Sequence, residues 1–301
     1  MANLTPSVQH APEGGEIGPV SSGWRLALRE FAGNRLAIVG FGTLLFFVVF
    51  SFLGPYVYHS DTATSNLMGT NLGPGAGHPL GTDDQGLDVL GELMQGGQVS
   101  IEVGLLSAFI ALIVGAAWGA VSGLAGGFVD SSMMRVVDIL LSVPPLFIIL
   151  IVADRYGATV IGLSVIIGGF TWLVPARLIR GEVLSLKTRD FVLAARSAGS
   201  GWWRLINRHL LPNALSVIVV NATFNVADAI LFVSYLGILG FGLHYPILDW
   251  GDMISNGVSY MQDGYWWQIY PVGFCIVAFV MACNFVGDAL RDALDVRLRR
   301  R

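Results

Sequence analysis

Long apolar runs dominate this sequence and constrain its fold more than any other feature. We place about six of them, at 36–57, 100–124, 133–153, 158–175, 214–236 and 268–289. Runs near twenty residues match the thickness of a bilayer, whereas the strands of a transmembrane barrel are shorter and alternate in polarity. Only 13% of the residues are charged, against about 25% in soluble domains. The sequence therefore predicts an all-α integral membrane protein with about six transmembrane helices.

Two features inside these runs predict how the helices bend and pack. Pro144-Pro145 lies within the third run, where the missing N–H groups are expected to kink the helix. Gly115, Gly119 and Gly123 recur every four residues in the second run. Small residues at this spacing allow two helices to approach closely, so we expect a packed neighbour along this face.

The positive charges indicate the orientation. Every lysine and arginine except Arg155 lies in a terminus or beside the connections after spans two and four. The long segments at about 58–99 and 237–267 contain none. Because loops rich in Lys and Arg stay in the cytoplasm, we expect both termini to be cytoplasmic.

The chain divides into four predicted parts. Residues 1–23 are rich in Gly, Pro, Ser and Glu and are expected to form a disordered cytoplasmic tail. Residues 24–35 mix apolar and arginine side chains, which suits an amphipathic interfacial helix or simply the start of the first span. Residues 36–290 form the transmembrane domain, and 291–301 form a basic cytoplasmic tail.

A basic stretch at about 190–213 separates spans four and five, and its spacing resembles the EAA loop of ABC-importer membrane subunits. Two alanines, three residues and a glycine are followed, after nine residues, by a histidine two positions before Leu-Pro. The flanking residues are similar to those of the peptide/nickel subgroup. The resemblance implies that this loop forms a cytoplasmic coupling helix, from Ala194 to Ile206, that docks on an ATPase. The implied contact residues are Ala194, Ala195, Arg196, Gly199, Arg204, His209, Leu211 and Pro212.

The same resemblance implies a fold and a set of partners. It covers about residues 24–300 and is closest to the C-type permease of oligopeptide and dipeptide importers, with the type I ABC importer fold. It implies a homologous second permease, two ATPase subunits that bind ATP and magnesium, and an extracytoplasmic substrate-binding protein. It also implies a bacterial inner-membrane location and contact with lipid, with no nucleic acid involved.

The sequence departs from the family pattern at several positions. Leu87 replaces an arginine within the motif at 78–90, and Val233 and Gly237 replace a glutamate and a serine near the motif at 239–251. Leu193 and Val296 replace a glutamate and a proline. The missing arginine at Leu87 and the missing glutamate at Val233 leave the cargo open, which could be a dipeptide, an oligopeptide, a nickel chelate or a glycosylated peptide.

A polar stripe marks the fifth span. Asn221, Asn225 and Asp228 follow one another at helical spacing, so they share one helix face. An aspartate facing lipid near the bilayer centre costs about 3 kcal/mol on insertion scales. The stripe therefore either lines a translocation path or forms an interhelical hydrogen-bond cluster, and the sequence leaves both open.

Other motifs argue against chemistry within this chain. The stretch 181–188 nearly matches a phosphate-binding loop but has Leu186 where the second glycine belongs. His78, Asp83, Asp84 and Asp88 lie close in sequence, yet an aspartate-capped loop is favoured over a metal site. The alternative function from another class is a gradient-driven transporter or channel, for which Asp228 is the one mid-span relay residue.

Cysteine labelling tests the predicted orientation. In intact cells, Ser65→Cys and Ser259→Cys should react with a membrane-impermeant thiol reagent, because both positions are expected outside. Ser197→Cys should not react, and the parent chain controls for native Cys275 and Cys283. Labelling of Ser197→Cys from outside would contradict the predicted orientation.

Overall fold

A computed structural model describes residues 29–60, 62, 64–156, 159–243 and 247–299, and the elements that it describes are helices and turns. The α-helices are α1 Arg35–Val57, α2 Val89–Ala125, α3 Gly127–Leu141, α4 Pro145–Tyr156, α5 Val160–Thr171, α6 Leu173–Leu186, α7 Asp190–Ser197, α8 Trp202–Arg204, α9 Leu215–Ile238, α10 Trp250–Val258 and α11 Tyr270–Arg299. A π-helical segment, Leu205–Leu210, follows α8, and short 3-10 turns lie at Met261–Asp263 and Trp266–Gln268.

The helices agree with the predicted all-α membrane architecture. Helices α1, α2, α9 and α11 are each long and apolar enough to cross a bilayer. The pairs α3–α4 and α5–α6 pass the same test only when each pair is taken together, which brings the total to six spans. The bend is 79° within the first pair and 45° within the second. The predicted kink at Pro144-Pro145 is thus a complete break, and the fourth span continues beyond 175 to Leu186.

Helix α2 is longer than predicted, since it begins at Val89 and not near residue 100. Oδ1 of Asp88 caps it by accepting the N–H of Gly91 at 3.0 Å. The polar residues 95–98 stay helical because they make tertiary contacts. A Cβ on Gly96 or Gly97 would meet Trp250, and Nε2 of Gln98 donates to the carbonyl of Ser51 at 2.6 Å. Those contacts, which hydropathy does not report, extend the helix.

The predicted domain boundaries also shift at both ends. Residues 29–33 are helical, but Asn34 ends that stretch and caps α1, accepting the N–H of Leu36 at 2.9 Å. The expected tail at 1–23 lies outside the described residues. At the other end, α11 runs unbroken through Arg299, so residues 291–299 of the predicted basic tail are helical and continuous with the last span.

The glycine face of α2 packs directly on α6, as predicted. A Cβ on Gly115 would lie 3.0 Å from the carbonyl oxygen of Trp172, and one on Gly119 would lie 2.5 Å from that of Ala176. Further along α2, a Cβ on Gly123 would meet the side chain of Val183 at 2.8 Å. The missing side chains allow the two backbones to come together.

At the end formed by the segments 58–99 and 237–267, which contain no lysine or arginine, the aspartates of the 78–90 segment cap turns and bind neighbouring side chains. Oδ2 of Asp88 accepts the hydroxyl of Tyr58 at 2.9 Å and lies 2.8 Å from Nδ1 of His78. Oδ2 of Asp84 accepts the hydroxyl of Tyr260 at 3.1 Å. Throughout the described ranges, no three His, Cys, Asp or Glu residues are grouped to hold a metal ion.

Helix α10 is anchored to α2 and α9 at the same end. The fully buried Trp250 donates from Nε1 to the carbonyl of Leu93 at 3.0 Å. A Cβ on Gly237 would lie 2.5 Å from the N of Asp252, so the family's serine would not fit without a shift. Asp249 caps α10 by accepting the N–H groups of Gly251 and Asp252.

Replacing Gly119 tests the close packing of α2 on α6. Gly119→Ala should lower the thermal midpoint of the purified protein, because overpacking costs about 1–3 kcal/mol. Gly181→Ala is the matched control, since a Cβ there meets no atom within 4 Å. The control should leave the midpoint unchanged or raise it, because alanine favours helix over glycine. Equal losses in both variants would contradict this packing.

The stability of the α10 anchor should depend on pH through Asp252. Burial, followed by the negative charge of Asp249, raises the pKa of Asp252 from 3.8 to about 8. The folded state therefore holds this proton more tightly than the unfolded state, and the free energy of unfolding falls as the pH rises between these values.

Thermal midpoints measured from about pH 6 to about pH 8 check this expectation. The midpoint of the wild type should fall over that range, and that of Asp252→Asn should fall less. Asp263→Asn, at an exposed carboxylate, is the control and should behave as the wild type. An identical slope in Asp252→Asn and the wild type would refute the assignment.

Candidate functional site

The loop between spans four and five, residues 190–213, is called here the coupling segment. It is not the single helix from Ala194 to Ile206 that the family resemblance implies. Helix α7 ends at Ser197, and residues 198–201 are not helical. Helix α8 and the π-helical segment follow. Pro212 lies in a turn before α9, which begins at Leu215.

Gly199 terminates α7 and does not serve close packing within this chain. The N–H of Ser200 bonds to the carbonyl of Ala195 at 3.1 Å, and that of Gly199 to the carbonyl of Arg196 at 3.0 Å. This pair of bonds is the Schellman motif, which places a residue with positive φ after the helix. Gly199 has φ of +80°, and a Cβ there would meet no atom within 4 Å. Its role in the motif is conformational.

One face of the coupling segment packs on the ends of two spans. Val192 of α7, together with Leu205, Ile206 and Leu210 of the π-helical segment, forms this buried face. It contacts apolar residues of α2 and α6, namely Ala120, Leu124, Ile179 and Val183. Ala195 and Leu211 are partly buried against the same cluster. The segment is therefore held to the transmembrane domain by apolar packing.

The opposite face of the coupling segment is exposed and rich in apolar side chains. Trp203 is 75% exposed, and Phe191, Leu193 and Trp202 are also exposed. Ala194, Arg196 and Arg204 are exposed beside them, and His209 is half-buried. Within the described part of the chain, neither arginine forms an ion pair. Sequence spacing identified the alanines and arginines but missed the aromatic residues, which alternate with charges and show no helical period.

A salt bridge that the sequence did not reveal ties the same region together. Nε and Nη2 of Arg180 on α6 bind the carboxylate of Asp130 on α3 at 2.5 and 2.6 Å. Ser122 also donates to Asp130, and Nζ of Lys187 donates to the carbonyl of Gly123. These bonds hold the turn between α2 and α3 against α6, next to the coupling segment. In the sequence, Asp130 and Arg180 are visible only as charged residues that flank the third and fourth apolar runs.

The polar stripe lines a cleft of about 570 Å³ between α9 and the two bent helix pairs. Asn221, Asn225 and Asp228 all face it, as do Thr171 and Tyr235. Most of the remaining lining is apolar, including Phe170 and Leu231. The structure thus brings the three predicted residues together on one open surface.

The stripe makes no interhelical hydrogen bonds among the described residues. Nδ2 of Asn221 donates to the carbonyl of Val217 at 2.8 Å, and Nδ2 of Asn225 donates to that of Asn221 at 2.9 Å. Both bonds lie within α9. Asp228 is exposed and has no hydrogen-bond partner in the described ranges. Of the two roles left open by the sequence, the geometry within this chain favours the path lining.

A second cleft of about 450 Å³ adjoins the first and shares Asn221 and Phe224 with it. Glu182 of α6 and Arg291 of α11 lie in its wall. The two clefts together follow α9 from Tyr235 towards the end that carries the coupling segment. One open surface therefore connects the polar stripe to the basic end of the chain.

Two departures from the family pattern are buried aliphatic side chains. Leu87 lies in the aspartate-rich 78–90 segment, where its backbone N–H donates to Oδ1 of Asp83 at 2.6 Å. Val233 packs in an apolar cluster with Val103 and Ile167. At Val233, apolar packing thus takes the place of the family's glutamate.

Comparison with known proteins agrees with this architecture. The family model described as "Binding-protein-dependent transport system inner membrane component" matches residues 115–300. A second, described as "N-terminal TM domain of oligopeptide transport permease C", matches residues 22–74.

Curated relatives align with most of the chain. The oligopeptide transport system permease protein OppC of Bacillus subtilis is 37% identical over 299 residues, covering 98% of this chain and 97% of the relative. The dipeptide transport system permease protein DppC of the same organism is 36% identical over 277 residues, covering 91% and 86%. OppC of Escherichia coli K12 is 37% identical over 278 residues, covering 92% of each chain. With the family model spanning more than half of its length, this chain belongs to the binding-protein-dependent transport system inner membrane component family.

Proposed function

We propose that this protein is the membrane-spanning permease subunit of an ATP-driven importer of dipeptides or oligopeptides. Family membership and the names of the relatives support the transport of peptides. The observation that supports ATP-driven transport is that the coupling segment has one buried face and one exposed face. Its buried face packs on α2 and α6, and its exposed face offers Phe191, Trp202 and Trp203 to a partner.

The proposed partners account for the surfaces that the single chain leaves open. Two ATPase subunits bind ATP and magnesium, and one of them docks on the exposed face of the coupling segment. A homologous permease faces the cleft along α9 and completes the translocation path. An extracytoplasmic substrate-binding protein delivers cargo at the end formed by the segments 58–99 and 237–267, and lipid covers the exposed apolar side chains of α1. Nucleic acid is not among the proposed partners.

Energy is proposed to come from the partner and not from this subunit. The near match to a phosphate-binding loop at 181–188 lies largely within α6. Its backbone N–H groups therefore bond to carbonyls of the same helix and do not surround a phosphate. Helix geometry therefore agrees with the sequence argument from Leu186. ATP and magnesium are accordingly assigned to the ATPase subunits.

We place the protein in the bacterial inner membrane with both termini in the cytoplasm. The coupling segment and the ion pair between Arg180 and Asp130 lie at the basic end, which the charge asymmetry assigns to the cytoplasm. The anchored segments around Asp88 and Trp250 then face outwards. This orientation puts the exposed aromatic face where soluble ATPases can reach it.

Apolar packing gives a route for coupling. A force on Trp202 or Trp203 reaches α2 and α6 through Leu205, Ile206 and Leu210, because these side chains are close-packed. Helix α6 also lines the cleft, at Val174 and Pro175. Closure of the ATPases would therefore move a wall of the path and switch its access between the two sides.

A gradient-driven transporter or channel remains the competing function, and Asp228 is its candidate relay. The two functions differ in what drives uptake. In vesicles that contain the assembled complex, an importer requires ATP inside and keeps working when ionophores collapse the ion gradients. A gradient-driven transporter shows the reverse dependence.

A bulky residue on the exposed face of the coupling segment should block coupling. Ala194→Trp is preferable to any change at Gly199, where positive φ would strain every side chain. We expect co-purification with the ATPase subunits and ATP-dependent uptake to fall about tenfold or more, as for disrupted interface centres.

Ala32→Trp, at an exposed residue before α1, is the matched control and should retain both properties. Membrane insertion of each variant is checked by its yield in the membrane fraction. Normal assembly and ATP-dependent uptake in Ala194→Trp would remove the coupling segment from the ATPase contact.

A further inference from the structure

The polar stripe on α9 presents hydrogen-bond acceptors to the cleft. The amide groups of Asn221 and Asn225 donate to carbonyl oxygens, which can only accept, so the nitrogen of each amide is identified by its partner. Each Oδ1 is left as the free atom. No described residue donates to either oxygen, and neither is among the fully buried atoms that lack a partner, so both can be reached from the cleft. Together with the carboxylate of Asp228, the stripe presents hydrogen-bond acceptors to which no described residue donates.

The charge of this cleft has one sign. Asp228 is the charged residue of its lining, which contains neither lysine nor arginine. The hydroxyl of Tyr235 can donate or accept, and the rest of the lining is mainly apolar. Apolar walls lower the local dielectric constant and strengthen the attraction between a carboxylate and a passing cation. In the adjoining cleft Arg291 offsets Glu182, so a net negative charge exists only at the level of Asp228.

The spacing of the stripe suits an extended peptide. From Asn221 to Asp228 the helix rises about 10 Å. An extended chain of about three residues has the same length. Backbone N–H groups of such a peptide can reach the amide oxygens while a cationic group lies at the carboxylate.

We propose that Asp228 makes the path selective for cationic cargo, favouring peptides with an ammonium or guanidinium side chain over neutral and acidic ones. Asn221 and Asn225 act with it by accepting hydrogen bonds from the peptide backbone. This inference rests on the proposed function, because it assigns the substrate class of the same path. It makes Asp228 a specificity-determining residue that acts after the binding protein has released its cargo.

The test uses the complete complex in proteoliposomes, with both permeases, the ATPases and the binding protein. Three tripeptides that differ only in a central lysine, glutamine or glutamate are supplied at concentrations that saturate the binding protein. Initial ATP-dependent rates give the ratio of lysine to glutamine peptide. Comparing this ratio between variants cancels the selectivity of the binding protein, which is the same in every sample.

The wild type should import the lysine peptide fastest and the glutamate peptide slowest. Asp228→Asn should lower the lysine-to-glutamine ratio about tenfold, as expected when a charge–charge attraction beside apolar walls is lost. Asp228→Glu should keep the preference, since it keeps the charge. Asp263→Asn, which removes an exposed carboxylate far along the chain from the stripe, should also keep it.

The outcomes separate this inference from the proposed function. If the assembled Asp228→Asn complex imports the glutamine peptide and its ratio equals that of the wild type, the inference is wrong and the importer function stands. If Asp228→Asn is poorly assembled, the ratio in Asp228→Glu decides, and a loss of preference there also overturns the inference. If the wild-type complex imports no peptide on ATP, the proposed function fails and the inference fails with it.

Discussion

Close packing of other helices against the glycines of α2 is the interaction on which the other parts of this structure depend. Gly115, Gly119 and Gly123 bring α6 against it, and Gly104 receives Ile230 of α9. Near the start of α2, Gly96 and Gly97 make room for Trp250. Because one helix accepts close neighbours along most of its length, the bent helix pair, the cleft-lining helix and the anchored helix α10 are all positioned relative to it. A side chain at any of these glycines would push one of those neighbours away.

The coupling segment shows how a short polar loop acquires a defined shape in such a protein. It has too few residues to bury a core of its own, so it uses the exposed ends of α2 and α6 as its apolar support. Val192, Leu205 and Leu210 provide that contact, and the Schellman motif at Gly199 turns the chain between the two helical parts. What remains on the outside is an aromatic surface with arginines beside it. A soluble protein rarely leaves such a surface uncovered, which agrees with a partner at this face.

Hydropathy and spacing predicted the parts of the structure that depend on local sequence. The six spans, the packing face at Gly119 and the shared face of Asn221, Asn225 and Asp228 all follow from helical periodicity. The elements that it missed depend on contacts between distant residues. Helix α2 starts early because Trp250 and Ser51 support its polar turns, and α6 continues because α2 covers it. The conformational role of Gly199 was not predicted, because a glycine required for positive φ and one required for close contact look the same in a sequence.

The unbroken length of α2 has a mechanical consequence. Its 37 residues correspond to a rod of about 55 Å, well beyond the hydrocarbon thickness of a bilayer. One end is bonded to the segments around Asp88 and Trp250, and the other, at Ala120 and Leu124, touches the coupling segment. Pivoting the rod about one end by about 10° displaces the other by about 10 Å, given the rise of a helix. Helix α2 can therefore act as a lever arm. Because no break or hinge interrupts it, a tilt at one face of the membrane moves its end at the other face.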